Sequence, residues 1–188
     1  MAIANKFIFA LVGLAGGLAL GILGTLHRPA PSPYRSQTNS PVRGLSAQEV
    51  ENLLAGSGAG YARTAELNQH PGPLHLLELE QELEISASQA EAISAVFDQM
   101  QRDAQRLGQQ IVEQEAQLSQ AFATESLTPE GLDQQTQALA GLYGDLRAVH
   151  LAAHLEVTPW LTADQIERYD QLRGYSGAAT PAHPHPGH

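Results

Sequence analysis

Apolar residues recur along the second half of the chain at alternating spacings of three and four, the pattern of a helical heptad seam. The first such run predicts a long helix that ends near Ala123. Thr128 and Pro129 supply a cap and a first-turn proline, and they predict a second long helix that reaches about Val157. Because the connection between them is short, the two helices should form an antiparallel hairpin. The seam positions are Ile93, Phe97, Met100, Ala104, Leu107, Ile111, Leu118 and Phe122 in the first helix, and Leu132, Leu139, Tyr143, Leu146, Ala153 and Val157 in the second.

Shorter helices are predicted on both sides of this hairpin. One covers about residues 74–83, and another begins after Thr162 and reaches about Arg173. Capping boxes at Ser86–Gln89 and Thr162–Gln165 mark the starts of the first long helix and of the last short one. The fold class that follows is all-α, with a four-helix domain built on the long hairpin.

The amino-terminal region has a different pattern. Residues 7–26 are an unbroken apolar run of twenty residues without a charge. At about 1.5 Å of rise per residue, a helix of this length can just cross a hydrocarbon core of about 30 Å. Lys6 would also suit a cleaved signal peptide, but the run exceeds the roughly 7–15 residues of such a segment and no small-x-small cleavage site follows. We therefore predict an uncleaved transmembrane anchor over residues 1–26.

Two further regions contain little periodicity. Residues 27–73 are rich in Pro, Ser and Gly and predict a tether, with one short helix near 47–55 that starts at a capping box. The helical domain then occupies residues 74–175. Residues 176–188 are rich in Pro and His, which is typical of a disordered tail with weak affinity for metals.

Composition and charge exclude several classes of function. The chain contains no cysteine, so it can form neither disulfides nor thiolate metal sites. Its formal net charge of −10 argues against nucleic acid as a partner, because phosphate backbones require a basic surface. No nucleophile–base pair, phosphate-binding loop or paired carboxylate is recognisable, so we do not expect an enzyme. No organic cofactor is indicated.

The candidate chemistry lies near the end of the second long helix. Continuing the heptad register from Leu132 reaches His150, so this side chain should point toward the partner helix, with His154 one turn further along the same side. A pair of imidazoles four residues apart is the spacing by which a helix offers two ligands to one metal ion. The same two rings can equally satisfy a carboxylate or a backbone carbonyl, so both interpretations stay open.

Additional ligands are available from the helices expected nearby. His75 lies in the first short helix, which should pack where the hairpin ends, and Glu91 or Glu78 could supply an oxygen there. A site of nitrogen and oxygen donors without sulfur suits a divalent ion of Zn, Ni, Co or Cu.

Two motifs carry a family resemblance. Leu161-Thr162-x-x-Gln165 and the degenerate Ile85-Ser86-x-x-Gln89 each open a helix, with the hairpin between them. Together with the stretches "PGPLHLLELEQELEIS" and "LTADQIERYDQLRGY", they make the region from Leu74 to Tyr175 resemble the periplasmic LTxxQ-motif family. That family includes Spy- and CpxP-type chaperones and ZraP- and CnrX-type heavy-metal sensors.

The resemblance implies a usually homodimeric four-helix domain in the periplasm, attached here to the inner membrane by a single pass. In the metal-sensing members, the ligands come from a histidine on the first helix, a glutamate on the second and an H-x-x-x-H or H-x-x-x-M pair late in the third. His75 matches the first role, Glu91 is the nearest candidate for the second, and His150 and His154 match the last.

Two functions follow from the resemblance. The first is a metal-binding sensor or envelope-stress accessory that signals through changed helix packing to an inner-membrane anti-sigma factor or sensor kinase. The alternative is an ATP-independent chaperone for unfolded client proteins. Residues 74–175 contain five arginines and seventeen Asp or Glu residues, a balance of −12. Since the client-binding face of Spy-like chaperones is basic, this charge favours metal binding.

Overall fold

The computed structural model describes residues 30–176, in which every regular element is a helix and no strand occurs. The predicted all-α class is confirmed. The predicted anchor (1–26) and nearly all of the predicted tail lie outside the described residues. Among the described helices, none is both long and apolar enough to cross a bilayer. The elements are a 3₁₀ turn at Pro33–Gln37, α1 (Ala47–Ala55), α2 (Arg63–Glu66), α3 (Pro73–Glu78), α4 (Ala87–Ala123), α5 (Pro129–Val157), a 3₁₀ turn at Thr158–Trp160 and α6 (Ala163–Leu172).

The long helices α4 and α5 pack against each other as an antiparallel hairpin, as predicted. Gln89, at the start of α4, donates a hydrogen bond of 2.7 Å to the carbonyl of Trp160, just past the end of α5. The heptad seam is buried along most of the hairpin but not at its tip. Phe122 and Leu132 are 60% and 38% exposed, because the seam predicts which face is apolar and not how far other elements cover it.

Two hydrophobic cores lie along the hairpin. The mid-hairpin core consists of Val42, Leu45, Leu53, Ala104, Leu107, Ile111, Leu139 and Leu146. The open-end core, at the end opposite the connecting loop, consists of Leu76, Leu83, Ile85, Ile93, Val157 and Tyr169. The candidate histidines lie on the stretch of α5 between Leu146 and Val157, where one core gives way to the other.

The predicted tether requires correction. The short helix α1 occurs at the predicted position, but Leu45 and Leu53 are buried against α4 and α5. Gly108 of α4 lies so close to α1 that a Cβ atom there would overlap the Leu53 carbonyl. Residues 42–73 therefore pack into the domain where a spacer was expected. The Pro and Gly content suggested a spacer without tertiary contacts. The nine-residue helix α1 instead buries its apolar side by packing on the longer helix α4.

Both predicted capping boxes at the open end are present. The Ser86 hydroxyl accepts from the Gln89 amide, and the Gln89 side chain accepts from the Ser86 amide; Thr162 and Gln165 repeat the arrangement at α6. The helix α3 ends at Glu78, earlier than predicted, and the turn that follows carries Leu83 and Ile85 into the open-end core.

Candidate metal-binding site

A cavity of about 570 Å³ opens beside the end of α5. Three of the four predicted ligands line it: His75 from α3, and His150 and His154 from α5. The fourth, Glu91, does not. Its side chain is exposed on α4 and is not part of the cavity wall, so the structure does not bring it together with the histidines.

His150 is the most deeply buried of these histidines. The residue is 2% exposed and its ring stacks on the Tyr61 ring, with centroids 5.6 Å apart and planes inclined by 10°. Nε2 of this histidine is buried and has no hydrogen-bond partner. Burial, and secondarily the positive charge that His154 can carry, lower the pKa of His150 below its usual value. The neutral imidazole, which is the form that binds metals, is therefore favoured.

His154 is 6% exposed and held in one orientation by the backbone of the neighbouring segment. Its Nδ1 lies 2.8 Å from the carbonyl oxygen of His70. A carbonyl can only accept, so Nδ1 carries the proton and donates it. In the neutral ring, the lone pair of Nε2 is then free to bind a metal ion, which is the usual arrangement of a metal-binding histidine.

His75 is less constrained. Its Nδ1 donates to Oε2 of Glu78 at 2.7 Å, and this pair is partly exposed to solvent. Nε2 of the neutral His75 ring is therefore also available to bind a metal ion. Glu78, which the sequence offered as an alternative oxygen donor, is therefore engaged with His75 one turn along α3.

Glu66, which no sequence pattern indicated, also lines the cavity. Its carboxylate accepts hydrogen bonds from the hydroxyls of Tyr169 and Tyr175. Burial, and then the charge of Glu66, raise the pKa of Tyr169 far above its usual value, so the phenol stays a donor. No spacing rule connects Glu66 with the histidines, since it lies in a helix of four residues inside the predicted tether.

The side chains around the cavity supply some, but not all, of the donor atoms that a metal ion needs. Within residues 30–176, no three His, Asp or Glu side chains stand close enough together to hold a metal ion as they are placed. What the fold prepares is a pair of imidazoles on one cavity wall, each with an uncommitted Nε2. A third donor, from His75 or Glu66, has to move toward them.

No protein-family model, curated protein or solved structure matches this chain. The resemblance to the LTxxQ-motif family rests on the two motifs and the hairpin between them, and it stays a prediction.

Proposed function

We propose that this protein is a non-enzymatic metal-binding sensor or envelope-stress accessory whose helical domain binds a divalent transition-metal ion through His150 and His154. The observation that carries the proposal is that Nε2 of His150 is buried without a hydrogen-bond partner. His150 and His154 line the same cavity. Buried polar atoms in folded proteins almost always have a partner. A second imidazole four residues away, with its own Nε2 uncommitted, suits that atom to a ligand role.

Nitrogen donors of this kind suit Zn, Ni, Co or Cu, and His75 offers a further imidazole on the cavity wall. A bound ion would supply a positive charge and directed bonds that hold the imidazoles to one point. The excess of acidic residues in 74–175 favours this function, because it attracts cations.

The residues around the pair suit a sensor. His150 stacks on Tyr61, which lies between α1 and α2, and His154 holds the carbonyl of His70, between α2 and α3. If both imidazole rings rotated toward one metal ion, their contacts with residues 61–70 would change. A ligand that binds one arrangement better than another shifts the packing by that difference in affinity.

The remaining parts of the proposal concern the cellular setting. The protein would act as a homodimer, attached to the inner membrane through residues 1–26 with its helical domain in the periplasm. Its partner would be an inner-membrane anti-sigma factor or sensor kinase. These assignments derive from the apolar amino-terminal run and from the resemblance to the LTxxQ-motif family.

The test is calorimetric titration of the full-length chain in a mild detergent with Zn, Ni, Co and Cu. His183, His185 and His188 are replaced by Ala in every sample, so that the tail contributes no ligand. We expect His150→Phe/His154→Asn to abolish binding. Phe keeps a ring against Tyr61, and Asn keeps a donor for the His70 carbonyl.

His70→Ala is the matched control, since it removes an imidazole but keeps the carbonyl that orients His154. It should bind as the parent does. Binding by His150→Phe/His154→Asn that is as tight as the parent's would overturn the proposal, as would a parent that binds none of the four ions.

One observation favours the chaperone alternative. A second groove, of about 510 Å³, runs between α4 and α5 and is lined mainly by Ala, Val and Met side chains, with Trp160 38% exposed at its edge. Suppression of the aggregation of a reduced model client at near-stoichiometric ratios without metal would support a chaperone. Loss of that effect in Trp160→Ser, with metal binding unchanged, would assign it to this groove.

A further inference from the structure

The side chains of Glu66 and His154 both lie close to Gly72. A Cβ atom on Gly72 would lie 2.9 Å from Oε1 of Glu66, 3.0 Å from Nε2 of His154 and 2.8 Å from its Cε1. The carboxylate oxygen and the uncommitted nitrogen are therefore both close to one point, which only a residue without a side chain leaves open. The backbone of Gly72 is extended (φ −86°, ψ 143°), so its dihedral angles do not require glycine. Glycine is required because a Cβ atom would have no room between its neighbours.

The carboxylate of Glu66 is held by two tyrosine hydroxyls. The Tyr169 hydroxyl donates to both Oε1 and Oε2 at 2.9 Å, and the Tyr175 hydroxyl donates to Oε2 at 3.1 Å. Tyr169 is fully buried, and its hydroxyl also accepts from the Gly72 amide at 3.4 Å. Phenols that hydrogen-bond a carboxylate are the kind of outer-shell support that orients metal ligands.

We propose that Glu66 is the oxygen ligand of the metal site and completes a set of two imidazoles and one carboxylate with His150 and His154. This inference rests on the proposed function. Two histidines and one glutamate with a position left open form a recurrent set for zinc and its neighbours. His75, on the same cavity wall, is placed to approach that open position.

The other carboxylates suit this role less well. Glu91 does not reach the cavity, and Glu78 is engaged with His75. Glu66 belongs to α2, which has only four residues and is joined to α3 by a short irregular segment. A short element with few contacts moves at low cost, and donors about 2.0–2.2 Å from one ion must approach more closely than they stand here. Metal binding would therefore draw α2 toward α5.

The experiment compares the full-length chain, with the three tail histidines replaced by Ala, with Glu66→Gln in the same background. Gln keeps the shape of the side chain and an acceptor for the tyrosine hydroxyls, but it lacks the charge. We expect zinc affinity to fall by about 10- to 100-fold or more, since even outer-shell changes have effects of that size. The visible absorption of bound Co²⁺ should change as well, because a ligand has been exchanged.

Two further variants and one control sharpen the result. Gly72→Ala should weaken zinc binding by filling the space between Glu66 and His154, and Tyr175→Phe should weaken it less than Glu66→Gln does. Glu91→Gln, which changes the charge equally but lies outside the cavity wall, should bind as the parent does. Parent-like zinc affinity and Co²⁺ absorption in Glu66→Gln would overturn the role of Glu66 while leaving the histidine site intact. Absence of binding in the parent would overturn the proposed function, and with it this inference.

Discussion

The side-chain amides of Gln89 and Gln165 hydrogen-bond to each other in both directions, with Nε2–Oε1 distances of 3.0 and 3.3 Å, although 76 residues separate them. Each glutamine also completes the capping box of its own helix, α4 or α6. The Gln165 amide reaches the Leu83 carbonyl in addition. One pair of side chains therefore joins both motifs and the turn after α3 at the open end of the hairpin.

This pairing predicts that the two glutamines are energetically coupled. Gln89→Ala and Gln165→Ala should each lower the free energy of unfolding by about 1–3 kcal/mol, because partly buried partners are left unpaired. The double variant should cost less than the sum of the two single variants, since the shared bonds are lost only once. Urea denaturation measures all three. Gln171→Ala, on the exposed side of α6, is the control, and strictly additive losses would contradict the coupling.

A pair of helical glycines tests the docking of α1 on the hairpin. Gly108→Ala should destabilise the fold by about 1–3 kcal/mol, because its methyl group would displace the Leu53 backbone. Gly141→Ala, on α5 with open space around it, should be stabilising by about 0.5–1 kcal/mol through helix propensity. Thermal denaturation followed by circular dichroism compares the two. Equal effects would show that residues 42–55 do not pack on α4.

Burial of His150 predicts a loss of stability in acid. Its pKa is lowered in the folded state, so below the ordinary value of about 6.5 the unfolded chain binds more protons at this site. The contribution of neutral His150 to the free energy of unfolding is therefore fully present above that pH. It falls as the pH decreases through that value. We expect His150→Phe to lose less stability than the parent between about pH 7.5 and pH 5 in urea titrations. An identical loss in both chains would contradict this.

Local patterns predicted the helices better than they predicted the site. The heptad spacing and the capping boxes depend on neighbours within a few residues, so the bounds of α4, α5 and α6 followed from the sequence. The role of Glu66 did not follow from the sequence, because its proximity to His154 depends on how α2 packs over α5 and on the space beside Gly72. The pairing of Gln89 with Gln165 is tertiary in the same way. Each capping box could be predicted from its own residues, whereas the contact between the two boxes could not.

The proposed coupling between metal and packing predicts a local change in backbone protection. If His150, His154 and Glu66 close on one ion, amide hydrogen exchange in residues 61–72 should slow on addition of zinc. Exchange at the hairpin tip, around Phe122, should change least, because this exposed end opens locally and lies outside the cavity wall. Mass spectrometry of peptic fragments can follow both regions. Binding without any added protection in residues 61–72 would show that the site does not report through this segment.

The most direct test of metal binding is the nitrogen NMR of the histidine rings during a zinc titration. The sample is the ¹⁵N-labelled full-length chain with the three tail histidines replaced by Ala, and single histidine variants assign the signals. We predict that the Nε2 resonances of His150 and His154 shift to metal-bound positions together, while Nδ1 of His154 stays protonated and His70 is unchanged. If saturating zinc leaves both Nε2 resonances where they were, the histidine pair is not a metal site.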